Sequence, residues 1–365
     1  MLVHHSSTDY AAAASDAAAH ARTKLESLIE TGRTRAAAVI EQVQRQLPVD
    51  RISPAPLVKF TANGHVGLDL GGGPITVHDH ALSQVCARTD VPFGYIQRLR
   101  GTDWGRQLIA RNLNDNLAAQ TGSRYLLRMV PQTDGLELRG FLSDRYRRLD
   151  SRPIIDAFCK AANTVGALPI EGYALETRVA IKAIIPTVFE PVPNEVMAFG
   201  VILSNSDFGD GALSLRAFML RLWCTNYAIT DEALRQVHLG GVLPAEVQFS
   251  DRTYRFDTAR SVSMVSDLVR SEIGPDRVAA SCDAIRRANE QNVDASKVTA
   301  FLKKHLGIGD ATDVTNAFTS ADVQNLPPGQ TAWRLSNAIS WIAGNTPNEA
   351  KRLDMMKVAG LALQR

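Results

Sequence analysis

The sequence lacks the short motifs that mark the common enzyme classes. It contains no nucleophile elbow, no His-Glu-x-x-His metal motif, no phosphate-binding loop and no zinc-deaminase pattern. We therefore predict no cofactor and no metal ligand from sequence motifs. One enzymatic alternative stays open, because carboxylates far apart in sequence can gather around a metal ion, as in nucleases. The carboxylates considered for such a site are Asp144, Asp150, Asp207 and Asp210.

Cysteine is scarce and its spacing is irregular. The four cysteines are Cys86, Cys159, Cys224 and Cys282, and no Cys-x-x-Cys pair occurs. This spacing excludes a cysteine zinc site of the usual kind and gives no disulfide framework. Four separate thiols are typical of a protein kept in a reducing cytosol.

Long apolar runs are also missing. The first residues lack the charged-then-apolar pattern of a signal peptide. No uninterrupted apolar run approaches the ~20 residues that a membrane-spanning helix needs. We expect a soluble protein of the cytoplasm with no membrane contact.

An excess of one charge is absent as well. The chain of 365 residues has 40 Lys and Arg against 38 Asp and Glu, a formal net charge of +2. Such a small excess does not indicate nucleic-acid binding, so only local clustering of cations can. The apolar fraction of 45% is typical of a globular chain with one large or two ordinary domains.

Residues 1–56 are predicted to form an Ala-rich helical arm. Alanine and long straight side chains favour helix over residues 8–47, with Gly32 the one helix-weakening residue after Tyr10. The pattern predicts two helices, or one helix interrupted near Gly32. Apolar content is thin before Leu25, so this part is expected either to be solvated or to pack on a partner subunit, and a solvated arm is the favoured interpretation.

Residues 57–240 are predicted to form an α+β core, and residues 241–365 a mostly helical C-terminal region. Alternating strands and an Asp134-Gly135 turn indicate β-hairpins. The fold class is therefore α+β, with a central antiparallel sheet of hairpins packed on helices. Residues 81–100 have the spacing of a helix–turn–helix, which either reads DNA or is plain scaffolding. Asp79 is the predicted N-cap of its first helix, in preference to a metal site at residues 78–80.

Arginines cluster after the second strand of the Asp134-Gly135 hairpin. Arg145, Arg147 and Arg148 surround Tyr146. Guanidinium groups suit phosphates and a tyrosine can stack on a base. The alternative is that the arginines pair with Asp144, Asp150 and other acids as a structural network. Further cations on predicted strands extend the candidate set to Arg178, Lys182, Arg216 and Arg221.

Four short motifs occur in a fixed order along the chain. They are Phe-Leu-Ser-Asp-Arg-Tyr at 141–146, Leu-Ser-Asn-Ser-Asp at 203–207, Arg-Leu-Trp-Cys-Thr-Asn at 221–226 and Thr-Ala-Trp-Arg-Leu-Ser-Asn-Ala at 331–338. Together they resemble the phage/plasmid-like protein family, catalogued as domain of unknown function 932, over roughly residues 70–350. The resemblance implies a setting in mobile-element DNA metabolism and implies no catalytic residue. The Ala-rich arm has no counterpart in it.

Three functions follow as expectations. The favoured one is a homo-oligomeric nucleic-acid-binding protein, acting on single-stranded DNA in annealing or recombination, by analogy with ring-forming annealing proteins. The second is a non-enzymatic assembly or structural phage protein, and the third is a metal-dependent nuclease. The predicted nucleic-acid-binding residues are expected to form one continuous cationic track: Arg145, Tyr146, Arg147, Arg148, Arg178, Lys182, Arg216 and Arg221.

Overall fold

The computed structural model confirms the α+β fold class, with antiparallel sheet, an N-terminal helix and C-terminal helices. The structure describes residues 16–63, 65–71, 74–222, 226–236, 250–320 and 326–363. Parts of the predicted N-terminal arm and of the 221–226 motif lie outside these ranges. Within them the strands form two separate sheets, where one central sheet was predicted.

The first sheet has the strand order β1-β5-β6-β4-β3-β2. All pairs are antiparallel except β4 with β6. The β5–β6 pair is the hairpin predicted at Asp134-Gly135, and β1 joins it along β5. The strands are β1 Val49–Pro54, β2 Lys59–Thr61, β3 Gly67–Asp69, β4 Pro74–Val77, β5 Arg124–Gln132 and β6 Gly135–Ser143.

Three helices cover this sheet: α2 Asp79–Thr89, α3 Phe93–Leu99 and α4 Asp103–Ala119. The chain turns between α2 and α3 at Asp90, whose φ of 54° places it in the left-handed region where a glycine is usual. The N-cap of α2 is His78, not the predicted Asp79: the His78 ring nitrogen Nδ1 accepts from the His80 backbone N–H at 3.1 Å. A histidine ring can accept this bond as an aspartate can, and the capping position therefore moves by one residue.

The second sheet has the order β12-β11-β10-β8-β7, with β9 paired to β10. All its pairs are antiparallel. Alternation along β10 and β11 gives the sheet two different faces. Its strands are β7 Leu168–Ala174, β8 Val179–Ile184, β9 Phe189–Val192, β10 Glu195–Asn205, β11 Leu213–Arg221 and β12 Asn226–Gln236.

One face of the second sheet buries Val201, Leu203, Leu213 and Leu215 against α5 Ser151–Thr164 and α6 Asp251–Glu272. Farther along the same face the C-terminal helices complete the largest apolar cluster, as predicted for residues 241–365. None of the helices that the structure describes is both long and apolar enough to cross a bilayer. The C-terminal helices are α7 Pro275–Glu290, α8 Ala295–His305, α9 Ile308–Thr319, α10 Ala332–Gly344 and α11 Glu349–Ala362.

The opposite face of the second sheet is covered by helix α1, Asp16–Arg45. Ala18, Ala21 and Leu25 are buried there, so the prediction of a solvated arm is wrong for the described part of the arm. Small alanine side chains let a helix approach a sheet closely, and this compensates for the low apolar content.

Helix α1 is continuous through Gly32, so the predicted interruption is absent. The reason is packing: a Cβ at position 32 would lie 1.8 Å from the carbonyl oxygen of Ile170 on β7. The glycine serves as a contact point for a neighbouring backbone, and its low helix propensity is outweighed by that contact.

Gly32→Ala tests this account of the α1–β7 contact. Alanine favours helix, yet here the added methyl group must displace a backbone, and we expect a loss of about 1–3 kcal/mol or more in the free energy of unfolding. The matched control is Gly309→Ala in α9, where a Cβ meets no atom within 4 Å. Denaturant unfolding of both variants would contradict the account if Gly32→Ala were as stable as the control.

Candidate nucleic-acid interface

The structure separates the eight predicted residues into three places. Those at 145–148 lie in a loop that packs on α6, and Arg178, Lys182 and Arg216 lie on the opposite face of the second sheet. Arg221 lies in the core. The single cationic track expected from the sequence is therefore not formed, because the sheet stands between its parts.

Residues 144–150, the arginine loop, follow β6 and dock on the first turns of α6. Arg147 donates to both carboxylate oxygens of Asp257, with Nε 2.7 Å from Oδ2. The hydroxyl of Thr258 donates to the carbonyl oxygen of Arg148 at 3.3 Å. The Arg148 guanidinium lies 4.9 Å from the ring centroid of Tyr254, a cation–π distance, and 3.4 Å from Asp50. These contacts fix the loop and helix against each other.

Tyr146 is buried, so the prediction that it stacks on a base is wrong. Its ring packs beside Leu126 and Leu142, and its hydroxyl donates to the carbonyl oxygen of Ser206 at 3.2 Å. Burial raises the pKa of Tyr146 above its ordinary value, which keeps the phenol neutral. Its role in this structure is to join the arginine loop to the β10–β11 turn.

A set of exposed side chains that sequence reasoning missed lies beside the arginine loop. Arg252, Arg255, Phe256 and Arg260 are exposed on the first three turns of α6, and we refer to these four residues as the α6 face. Phe256 is 63% exposed, and the Arg252 guanidinium lies 5.5 Å from its ring centroid. The signal in the sequence was an aromatic residue between arginines at helical spacing, 252, 256 and 260.

Two cations on this face, Arg178 and Lys182, are held by acidic residues, and Arg216 lies on the same face. Arg178 donates through Nε to the carbonyl oxygen of Asp210 at 2.7 Å, and Lys182 donates to Glu171 at 2.6 Å. The register aligns Lys182, Ile202 and Arg216 across three strands, so their side chains share one face. Burial raises the pKa of Glu171, but the charge and hydrogen bond of Lys182, with the charges of Arg352 and Arg35, outweigh burial and lower it below its ordinary value.

Arg221 is 5% exposed and forms a bidentate pair with Glu195, with both N–O distances 2.6 Å. The indole N–H of Trp333 donates to the same carboxylate at 3.2 Å. A buried pair satisfied in this way joins β10 and β11 to α10, and the Arg221 guanidinium has no surface from which to contact nucleic acid.

Arg128 on β5 is the most buried cation of the region, and sequence reasoning did not single it out. It is 1% exposed, and its three nitrogens donate to Asp50, to Asp150 and to the Asp207 carbonyl oxygen at 2.8, 2.5 and 2.8 Å. Burial lowers the pKa of Arg128, but the charges of Asp150, Asp50 and Asp207 outweigh burial and raise it. The guanidinium therefore stays charged and ties the first sheet to the arginine loop and the β10–β11 turn.

Three of the four carboxylates considered for a metal site, Asp150, Asp207 and Asp210, have structural partners. Asp150 accepts from Arg128, Asp207 accepts from the Ser151 amide and hydroxyl at 2.7 and 2.8 Å, and Asp210 accepts from Thr177 at 2.7 Å. Among the residues that the structure describes, no three His, Cys, Asp or Glu side chains are grouped to hold a metal ion. These distances leave the nuclease alternative without a supporting cluster in that part of the chain.

Asp207 provides a pH-dependent test of this network. Desolvation of its carboxyl group raises its pKa to about 6, although part of the residue reaches the surface. Because the folded state binds the Asp207 proton more tightly than the unfolded state, protonated Asp207 adds to the free energy of unfolding below about pH 4. This contribution is lost as the pH rises to about 6. Asp207→Asn keeps an acceptor for Ser151 without titrating, so we expect its stability relative to the native chain to rise by up to about 3 kcal/mol between pH 3 and 7.

The measurement is the free energy of unfolding of Asp207→Asn and of the native chain at several pH values between 3 and 7. Asp313→Asn, at an exposed position of α9, is the control and should follow the native profile. A constant difference between Asp207→Asn and the native chain would show that Asp207 does not titrate as described.

No protein-family model matches this chain, and no curated protein or solved structure is significantly similar to it. The resemblance to the phage/plasmid-like protein family therefore rests on the four short motifs alone.

Proposed function

We propose that this chain is a mobile-element protein that binds single-stranded nucleic acid on the α6 face and the adjoining arginine loop. The observation that supports the proposal is the exposed Phe256 among Arg252, Arg255 and Arg260. An aromatic ring at the surface has an unfavourable contact with water, and a stacked base removes it. Arginines at one helical turn on either side can contact the flanking phosphates.

The geometry favours single strands over duplex. A base in a duplex has both faces covered by its neighbours, whereas an unpaired base can stack on a protein ring. The arginine loop is fixed against α6 by the Arg147–Asp257 pair, so the loop and the helix are held together before the strand binds. A surface organised in advance binds with a smaller loss of conformational entropy.

Annealing of complementary strands is the activity that we propose for such a surface. A protein that holds a strand by backbone phosphates and sequence-tolerant stacking leaves the pairing edges of the bases available. A homo-oligomer would align several α6 faces along one strand, and each copy would add affinity through effective concentration.

The charged contribution is tested by Arg255→Gln. Each phosphate contact contributes about 0.7 to the slope of log affinity against log salt for single strands, so we expect the slope to fall by about 0.7. Fluorescence anisotropy with a labelled single-stranded oligonucleotide over a salt series measures it. Arg270→Gln is the control on the same helix, because Arg270 is exposed near its other end, 3.4 Å from Asp267. Salt-insensitive binding, or equal slopes for the two variants, would refute the proposal.

The stacking contribution is tested by Phe256→Ala. Loss of one stacked base is expected to weaken binding by about 1–3 kcal/mol while the salt slope stays unchanged, because the side chain carries no charge. Trp104→Ala is the matched control. Trp104 is an aromatic residue that is 67% exposed, but it lies on helix α4, which covers the first sheet and not the second. Equal affinities for the two variants would place stacking elsewhere than on the α6 face.

A further inference from the structure

A cleft lies on the face of the second sheet that is opposite to α6. It is lined by Tyr173 of β7, by the paired residues Ser204 and Ser214 of β10 and β11, and by Asp354 and Lys357 of helix α11. Ala180 of β8 lies between Tyr173 and Ser204 in the register. The cleft has a volume of about 210 Å³. Since a water molecule occupies roughly 30 Å³, the space suits a small ligand and is below the size of most drug-sized sites.

The cleft is lined by more positive than negative charge. Among the residues that the structure describes, its lining includes Arg178, Arg216 and Lys357 and one carboxylate, Asp354; Arg178 is also paired with Asp210, outside the lining, at 3.1 Å. The Asp354 carboxylate is 70% exposed and is paired with Lys357 at 2.6 Å. An exposed pair of this kind is weak and is easily exchanged for another anion. The lining therefore favours an anionic ligand.

The Arg178 guanidinium is held in a fixed orientation at one end of the cleft. Its Nε and Nη2 donate to the Asp210 carbonyl oxygen, and Nη2 lies 3.1 Å from the Asp210 carboxylate. Gly211 lines the cleft beside it with φ +151°, and a Cβ there would lie 3.3–3.5 Å from the guanidinium. The glycine lets the Arg178 guanidinium lie flat against the turn. Because the Arg178 side chain is already ordered, binding a ligand costs less side-chain entropy.

Neutral hydroxyl groups complete the lining. The hydroxyls of Ser204 and Ser214 are 2.8 Å apart, so one donates to the other and the second can donate to a ligand. Burial raises the pKa of Tyr173, although the charges of Arg178 and Arg216 lower it in part, and the phenol stays protonated as a donor.

We propose that this cleft binds a phosphate group, either as inorganic phosphate or as the phosphate monoester of a nucleotide. Phosphate presents several acceptor oxygens in a tetrahedral arrangement, and the cleft has donors from the second sheet and from helix α11. Arginine and lysine are the cations that phosphate sites use. The site is distinct from the α6 face, because the second sheet separates them.

Calorimetric titration with inorganic phosphate, in a buffer without phosphate or sulfate, tests the proposal. We expect saturable binding by the native chain and a loss of about tenfold or more in affinity for Arg216→Gln, since hydrogen bonds to a charged group are strong. Lys357→Gln should also weaken binding, and a thermal unfolding curve like that of the native chain shows that this half-buried variant is folded. Lys303→Gln, exposed on α8, is the charge-matched control and should bind as the native chain does.

A second titration identifies the source of the phosphate. Tighter binding of adenosine 5′-monophosphate than of phosphate, with no binding of adenosine, assigns a nucleotide, and equal binding of both phosphates assigns the free ion. Absence of saturable phosphate binding, or equal affinity in Arg216→Gln, Lys357→Gln and the control, overturns the proposal. Oligonucleotide binding through the α6 face is measured separately, so the failure of one proposal leaves the other standing.

Discussion

The buried Arg128 side chain is the interaction on which the arrangement of the two sheets depends. It lies on β5 of the first sheet and donates to Asp50, to Asp150 and to the carbonyl oxygen of Asp207 in the β10–β11 turn. A buried guanidinium is costly unless all its donors are used, and here each nitrogen has an acceptor. Removing one acceptor would leave a charged donor without a partner, so the segments that meet at Arg128 are fixed as a set.

Both proposed sites are attached to that set. Asp150 ends the arginine loop, whose Arg147 and Arg148 dock on α6 beneath the α6 face. On the other side, the β10–β11 turn continues from Asp207 to Asp210, which orients Arg178 in the cleft. Ser206 strengthens this turn by accepting from two backbone N–H groups and donating to the Thr177 carbonyl oxygen. The two surfaces are thus on opposite faces of one sheet and share one buried anchor.

Periodicity in the sequence predicted the fold class and most of the helices and hairpins, because alternation and helical spacing are local properties. It did not predict two sheets, since strand pairing joins distant residues: the partners in β1 and β5 of the first sheet are 70 to 80 positions apart. The same limit applies to the site. The cluster at 145–148 predicted an arginine-rich loop, but whether Tyr146 faces solvent or core depends on Ser206, sixty residues away. The α6 face was missed because its arginines are spread along a helix, and only the burial of the other faces of that helix shows which side chains are exposed.

The α6 face combines an exposed aromatic ring with three exposed arginines, and the proposed function depends on its contact with a strand. The most direct measurement is ultraviolet crosslinking of the native chain to a single-stranded oligonucleotide, followed by mass spectrometry of the crosslinked peptide. We expect the crosslink to form at Phe256 and its yield to decrease as salt is raised. Crosslinks confined to Trp104 or to other regions away from α6, or a yield that does not depend on salt, would contradict it.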